Sequence, residues 1–191
     1  KKKEKKIKKN NDCIIYETSI RDFSMNLDIK NKGTFLGFFE DNLVSKNKNP
    51  IGFNYLKRLN ITHVQLMPIN AIATIDDNNP SSTYNWGYDT LAYNILEGSY
   101  STNPDDPYSR INEFRKMVNA LHKANIRVNV DFVFNHTYFK ENSIYDLLVP
   151  NYFYLMDEDG NLSWTNDKDL ENPAEVNITG PQGEQGENEF H

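Results

Sequence analysis

Residues 107–136 read Pro-Tyr-Ser-Arg-Ile-Asn-Glu-Phe-Arg-Lys-Met-Val-Asn-Ala-Leu-His-Lys-Ala-Asn-Ile-Arg-Val-Asn-Val-Asp-Phe-Val-Phe-Asn-His. Asp106 can cap a helix whose first residue is Pro107, because proline has its φ preset and needs no helical N–H there. Ile111, Phe114, Met117, Val118 and Leu121 then form an apolar stripe at helical spacing. Asn125 stands where the helix needs a left-handed residue, a conformation Asn tolerates. Beyond it, Val128, Val130, Phe132 and Phe134 alternate with Asn129, Asp131, Val133 and Asn135, the period of a strand. On that strand Asp131 and Asn135 share a face.

The same order occurs 65 residues earlier, measured from Asn60 to Asn125. Pro50 to Leu59 reads as a helix with Pro50 in its first turn and Ile51, Tyr55, Leu56 and Leu59 on one face. Asn60 is its left-handed cap, and Ile61 to Ile69 is the next strand, ended by Pro68. Cys13 to Tyr16 is an apolar run read as an earlier strand. A helix, an asparagine and a strand, twice over, predicts repeating β/α units, which require a parallel sheet. Long connections remain at 19–49 and 70–105, after strand C-termini, where parallel α/β proteins place their chemistry.

The chain has 191 residues, of which 38% are hydrophobic. Its aromatics, 11 Tyr and 11 Phe among them, reach 13%, far too many for a chain disordered throughout. One cysteine, Cys13, excludes an internal disulfide framework and a cysteine-rich zinc site. No apolar run is long enough to span a bilayer. Seven Lys and one Glu fall in residues 1–10, whereas ten acids and one Lys fall in 157–191, so the two ends are highly and oppositely charged and the middle is nearly balanced. The expected organisation is a disordered basic arm at 1–11, a folded body at 12–156 and a disordered acidic tail at 157–191. The arm is read as solvated, without a nucleic-acid or membrane partner. Glu17, Arg21 and Asp22 leave no apolar h-region after the Lys run, so it is no signal peptide as it stands. The residues do not fix a compartment; the lack of a signal peptide and the single cysteine favour the cytoplasm.

Three segments could carry chemistry. Tyr84-Asn-Trp-Gly-Tyr-Asp89 offers Tyr84, Trp86 and Tyr88 beside Asn85 and Asp89, with Gly87 between them. Aromatic faces suit the C–H face of a sugar ring, and Asp or Asn suits its hydroxyl edge; the other reading is a loop pinned by its own aromatics. In Asp131-Phe-Val-Phe-Asn-His-Thr137, His136 sits at a strand end, either as a ligand or as a structural residue, and Asp131 reads as a carboxylate bracing neighbouring strands. Glu17 to Ser24 reads alone as a solvated loop with an Arg21–Asp22 pair.

Together these segments resemble the α-amylase family of glycoside hydrolases, in its branch of type I pullulanases and related debranching enzymes. Ile15-Tyr-Glu-Thr-Ser-Ile-Arg-Asp-Phe-Ser24 is similar to the first barrel strand and its loop. Tyr84 to Asp89 is similar to the pullulanase signature, with Thr90 where Pro is usual. Gly98-Ser-Tyr-Ser-Thr-Asn-Pro104 through Ile126 resembles the approach to the third strand. Asp131 to His136 resembles the family's first conserved region, with Phe132 in place of a Val. The resemblance runs from about Cys13 to Gly160. It implies an α/β fold, a partial (β/α)₈ TIM barrel of about its first three β/α units.

The resemblance also implies roles. Tyr88 would stack on the sugar at the cleavage subsite, with Trp86 beside it. Asp89 would bind that sugar's hydroxyls, and His136 would hydrogen-bond the same sugar. Asp131 and Asn135 would be structural near the site; no calcium ligand set accompanies Asn135, so no metal and no cofactor are expected. The implied partner is an α-glucan oligosaccharide or polysaccharide, cleaved at α-1,6 linkages in pullulan, glycogen or starch. The family works with retention, through an Asp nucleophile and a Glu acid ~5–5.5 Å apart. The fourth-strand pattern Gly-x-Arg-x-Asp is absent, since none of Arg21, Arg58, Arg110, Arg115 and Arg127 has that context. No catalytic residue is therefore expected in this chain, and it should be inactive alone. The alternative is a non-catalytic α-glucan-binding or degenerate protein. Open sheet edges in a part-barrel would favour self-association.

Overall fold

A computed structural model of the chain describes residues 9–150 and 152–154. The acidic tail at 157–191 and most of the basic arm lie outside the described residues. The chain divides into two compact units, Lys1–Tyr138 and Phe139–His191. In the first, the order is β1 (Ile15–Thr18), α1 (Ile20–Ser24), α2 (Phe35–Phe38), α3 (Phe53–Leu59), β2 (His63–Leu66), β3 (Asn70–Ile72), β4 (Thr90–Leu96), α4 (Pro107–Lys123) and β5 (Arg127–Val130). Strands β1, β2 and β5 form one parallel sheet in that order. Helix α3 lies between the first pair in sequence and α4 between the second, so the repeating β/α reading holds. A separate antiparallel pair, β3–β4, is inserted after β2.

Register divides the sheet's two faces. Tyr16, Val64 and Val128 are in one row, and Thr18, Leu66 and Val130 in another. Val64 and Leu66 are fully buried in a core with Phe35, Phe38, Leu56, Met117 and Leu121, and Tyr16, Val128 and Val130 pack against it. Each such Leu or Phe contributes about 1.5–3 kcal/mol by leaving water. The opposite face carries the row Glu17, Gln65 and Asn129. Strands β1 and β5 are the edges of this sheet.

Local signals worked where they concerned one residue's backbone. Asn60 and Asn125 take φ of 55° and 60°, the left-handed conformation read from the sequence. Asp106 accepts from the Tyr108 N–H at 3.0 Å and Pro107 opens α4. Element lengths differ from the reading. The second helix starts at Phe53, not Pro50, because Gly52 at φ 57° redirects the chain and Pro50 bridges Val44. Strand β1 starts at Ile15 rather than Cys13, since the Ile14 N–H and C=O are both engaged by Thr62. Ile111 is exposed, and Glu113 takes a buried place on α4, held by the Thr102 N–H at 3.0 Å, the Thr102 hydroxyl and the Ser109 hydroxyl at 3.2 Å.

The third strand is also shorter: it ends at Val130, so Asp131 and Asn135 do not share a strand face. The Asp131 N–H donates to the Leu66 C=O at 2.9 Å. The next rung of a parallel ladder would need an N–H at residue 68, and Pro68 has none. One proline thus stops two strands, and the chain after Asp131 turns at Phe134 and Asn135.

In the second unit, α5 (Ile144–Leu148) is capped by Ser143, whose hydroxyl accepts from the Tyr145 N–H at 3.1 Å and from the Tyr154 hydroxyl at 2.5 Å. Among the described residues no helix is long and apolar enough to cross a membrane.

Candidate functional site

The site lies past the C-terminal ends of β2 and β5, where Pro68 and Asp131 release the chain from the sheet. Gly87 makes this possible: its φ is 96°, and a Cβ there would lie 3.0 Å from the Pro68 carbonyl oxygen. The loop closes locally as well, because the Gly87 N–H donates to Asn85 Oδ1 at 2.7 Å, an Asx turn.

Three of the residues singled out by sequence meet. The Tyr88 hydroxyl donates to Asp131 Oδ2 at 2.8 Å. Burial, then this bond and the charges of Asp131 and Glu17, push the Tyr88 hydroxyl up to about 12. It therefore stays a donor at any ordinary pH, and the ring is fixed from its far end. His136 Nε2 lies 2.8 Å from the Tyr88 carbonyl oxygen. A carbonyl only accepts, so Nε2 carries the proton in that bond. Nδ1 faces the Asn135 side-chain amide at 3.0 Å. Both ring nitrogens thus have partners within the chain. The Tyr93 hydroxyl donates to the Val133 and His136 carbonyls and anchors the turn that carries the histidine.

Asp89 and Trp86 sit differently. Asp89 Oδ2 accepts from the Thr74 hydroxyl at 2.5 Å, and Asn85 Nδ2 donates to the same hydroxyl at 2.8 Å. Asp89 Oδ1 is buried and accepts no hydrogen bond. Trp86 is 60% exposed, so its indole face is open to solvent. Tyr84 is tied back to α1: its hydroxyl donates to Asp22 Oδ2 at 2.6 Å, and that bond raises its pKa. The Arg21 guanidinium lies 5.0 Å from the Tyr84 ring centroid and pairs with Asp22 at 2.9 Å. The Arg21–Asp22 pair read from sequence is present, but it is a clamp on Tyr84 rather than a detached solvated pair.

Sequence reading missed Thr74 and Tyr93. Both act on residues 15 and 40 or more positions away, and neither stands in a recognisable pattern. Among the described residues no group of three or more His, Cys, Asp or Glu could hold a metal ion. As a chemical surface, the site offers an open indole and a tyrosine ring braced by a carboxylate, with the unpaired Asp89 Oδ1 buried beneath.

A family model described as the alpha amylase catalytic domain matches residues 52–172. That match begins later than the resemblance read from Cys13 and continues past Gly160. Among curated proteins, the Pullulanase of Bacillus subtilis (strain 168) is 44% identical over 151 residues, covering 78% of this chain and 21% of its own length. Pullulanase 1, chloroplastic, of Arabidopsis thaliana is 31% identical over 188 residues, covering 78% and 19%. Among solved structures, the pullulanase of Anoxybacillus sp. LM18-11 complexed with maltotriose is similar with a TM-score of 0.80 at 40% identity, over 85% of this chain and 24% of that one. The chain thus spans about a fifth to a quarter of the length of these three relatives. On these findings, and with its parallel β/α order, the chain belongs to the alpha-amylase catalytic-domain family, in its pullulanase branch, and represents an N-terminal part of that domain.

Proposed function

We propose that this chain supplies the first β/α steps and half of the sugar subsite of a retaining hydrolase acting on α-1,6 linkages of α-glucans. The observation that carries it is the meeting of Tyr88, Asp131 and His136 beyond the parallel strands, at 2.8 Å in each contact. Tyr88 supplies the stacking face and Trp86 the open ring beside it. Asp89 binds a sugar hydroxyl through Oδ1, which must be uncovered on binding and is otherwise left buried and unpaired. His136 binds the same sugar by exchanging its Asn135 contact at Nδ1 for a hydroxyl. Asp131 and Asn135 position Tyr88 and His136. The named relatives are pullulanases, and a solved one is complexed with maltotriose, which supports an oligosaccharide of α-linked glucose as partner.

Within these 191 residues no Gly-x-Arg-x-Asp stands, so the chain holds the sugar without attacking it. That absence also favours a second reading, a glucan-binding protein without hydrolysis. Two measurements test the proposal. Maltotriose should change the fluorescence of Trp86 in a Trp164→Phe background, and Tyr88→Ala should weaken binding about tenfold, near 1.4 kcal/mol. Pullulan hydrolysis should stay at background, because losing one member of a catalytic group already removes most of the rate. Reducing sugar released in proportion to the purified chain would overturn the second expectation, and an unresponsive Trp86 the first.

A further inference from the structure

Between α1, the loop after β3 and the Gly98–Tyr100 turn lies a cavity of about 120 Å³, room for several waters or for one ion of phosphate size. Its polar wall comes from three stretches of chain. Arg21 and Lys32 belong to the first long connection, Ser81 to the second and Tyr100 to the turn after β4. Ile72 and Ile75 stand among its apolar residues, and among the described residues no Asp or Glu lines it. Gly33 fixes the turn that brings Lys32 there: its φ is 69°, and a Cβ would lie 3.2 Å from Met25 Sδ and 3.6 Å from Arg21 Cγ.

The polar groups of this wall lack acceptors. Arg21 engages Asp22 through Nη1 at 2.9 Å, while its Nε is buried and donates to nothing. Among the described residues the Lys32 ammonium has no ion-pair or hydrogen-bond partner, and the Ser81 and Tyr100 hydroxyls have no hydrogen-bond partner. Tyr100 is 4% exposed, and burial raises its pKa, so its hydroxyl keeps its proton at any ordinary pH. Two carboxylates stand nearby, and both are engaged elsewhere. Asp22 holds Arg21 and accepts from the Tyr84 hydroxyl. Glu97, 1% exposed, accepts from the Ile72 N–H at 2.6 Å and the Ser99 N–H at 3.0 Å.

A guanidinium, an ammonium and two hydroxyls around one cavity suit an anion, and their number selects among anions. A carboxylate offers two oxygens, whereas a phosphate group offers three or four in a tetrahedron, enough to meet donors from three stretches at once. We propose that this cavity binds a phosphate group, with Arg21 and Lys32 balancing its charge and the Ser81 and Tyr100 hydroxyls donating to its oxygens. The Arg21 Nε–H is uncovered on binding by a small turn of the guanidinium and gains the acceptor it lacks. Occupancy also steadies the neighbouring loop. Asn85 lines the same cavity and accepts from the Gly87 N–H at 2.7 Å, and Arg21 lies 5.0 Å from the Tyr84 ring centroid. The consequence for sugar binding rests on the function proposed above; the phosphate site itself does not.

The test uses the full chain without sugar. Inorganic phosphate, titrated at constant ionic strength against a chloride reference, should bind saturably, with amide shifts centred on Gly33, Ser81 and Tyr100. Lys32→Gln and Tyr100→Phe should each weaken binding about tenfold while the melting temperature without phosphate stays unchanged. Glycerol phosphate separates the two sources of the group. Equal affinity assigns the site to free phosphate, and tighter binding, through contact with Ile72 and Ile75, assigns it to a phosphorylated metabolite. Absence of saturable binding would overturn the site. So would binding that neither variant changes, since that is the result expected if the Lys-rich residues 1–10 take the anion instead. Maltotriose should bind more tightly when phosphate is present, by linkage. Phosphate binding that persists where maltotriose binding fails leaves the site standing and counts against the sugar subsite alone.

Discussion

Residues 19–49 and residues 70–105 each follow a parallel strand past its C-terminal end, and the aromatics of 19–49 are used in the opposite way to those of Tyr84–Tyr88 in the second connection. The first connection turns inward. Thr34 caps α2, Phe35 and Phe38 are fully buried, and Phe23 stacks on Phe38 at 4.1 Å. The second turns outward. Its β3–β4 pair stands on the Ile72 and Glu97 contact, and it presents Trp86 to solvent. A polar, glycine-bearing composition therefore does not mark a loop as peripheral. What separates them is that Thr34 caps a helix that carries Phe35 and Phe38 into the core, whereas Trp86 and Tyr88 flank Gly87 in a loop outside any helix.

That contrast is open to direct attack. Phe35→Ala should cost about 3–5 kcal/mol, since it removes a wholly buried ring that touches Tyr100 and Phe114 edge-on. Denaturant melts would read it, and a cost below about 1 kcal/mol would mean the first connection is not core. Gly87→Ala should cost about 1–3 kcal/mol through its φ of 96° and the crowding at Pro68. It should also disturb Tyr88, so maltotriose affinity and stability should fall together. Trp86→Ala should change stability by less than about 0.5 kcal/mol, because the ring is exposed, while removing the fluorescence response. A large stability loss there would show that the indole is structural after all.

How much was legible divides along the same line. Asn60, Asn125, Asp106 and Pro107 were readable because each acts on its own turn of backbone. Tyr88, Asp131 and His136 were readable because they stand in patterns a family shares. The end of the third strand was not, since it is set by Pro68, 63 positions before Asp131. The inward path of residues 19–49 was hidden too: only the tertiary fold shows that Ser24 Oγ accepts from the Gly33 N–H at 2.9 Å and that Gly37 lies against the Asn31 carbonyl. Thr74, Tyr93 and the Asp22–Tyr84 contact likewise join residues far apart along the chain.

The register of the sheet also has a consequence for how the chain folds. Ile15 pairs with His63 and His63 with Arg127, so the two strand pairings close stretches of 48 and 64 residues. Loop-closure entropy separates these by only about 0.3 kcal/mol, too little to rank them. The helices do: α4 has 17 residues and α3 has 7, and a helix under about 12 residues is marginal before it is packed. The expected nucleus is thus β2, α4 and β5, with β1 arriving afterwards. Val128→Ala should mainly slow refolding and Tyr16→Ala mainly speed unfolding; the reverse pattern would put the start at the other end of the sheet.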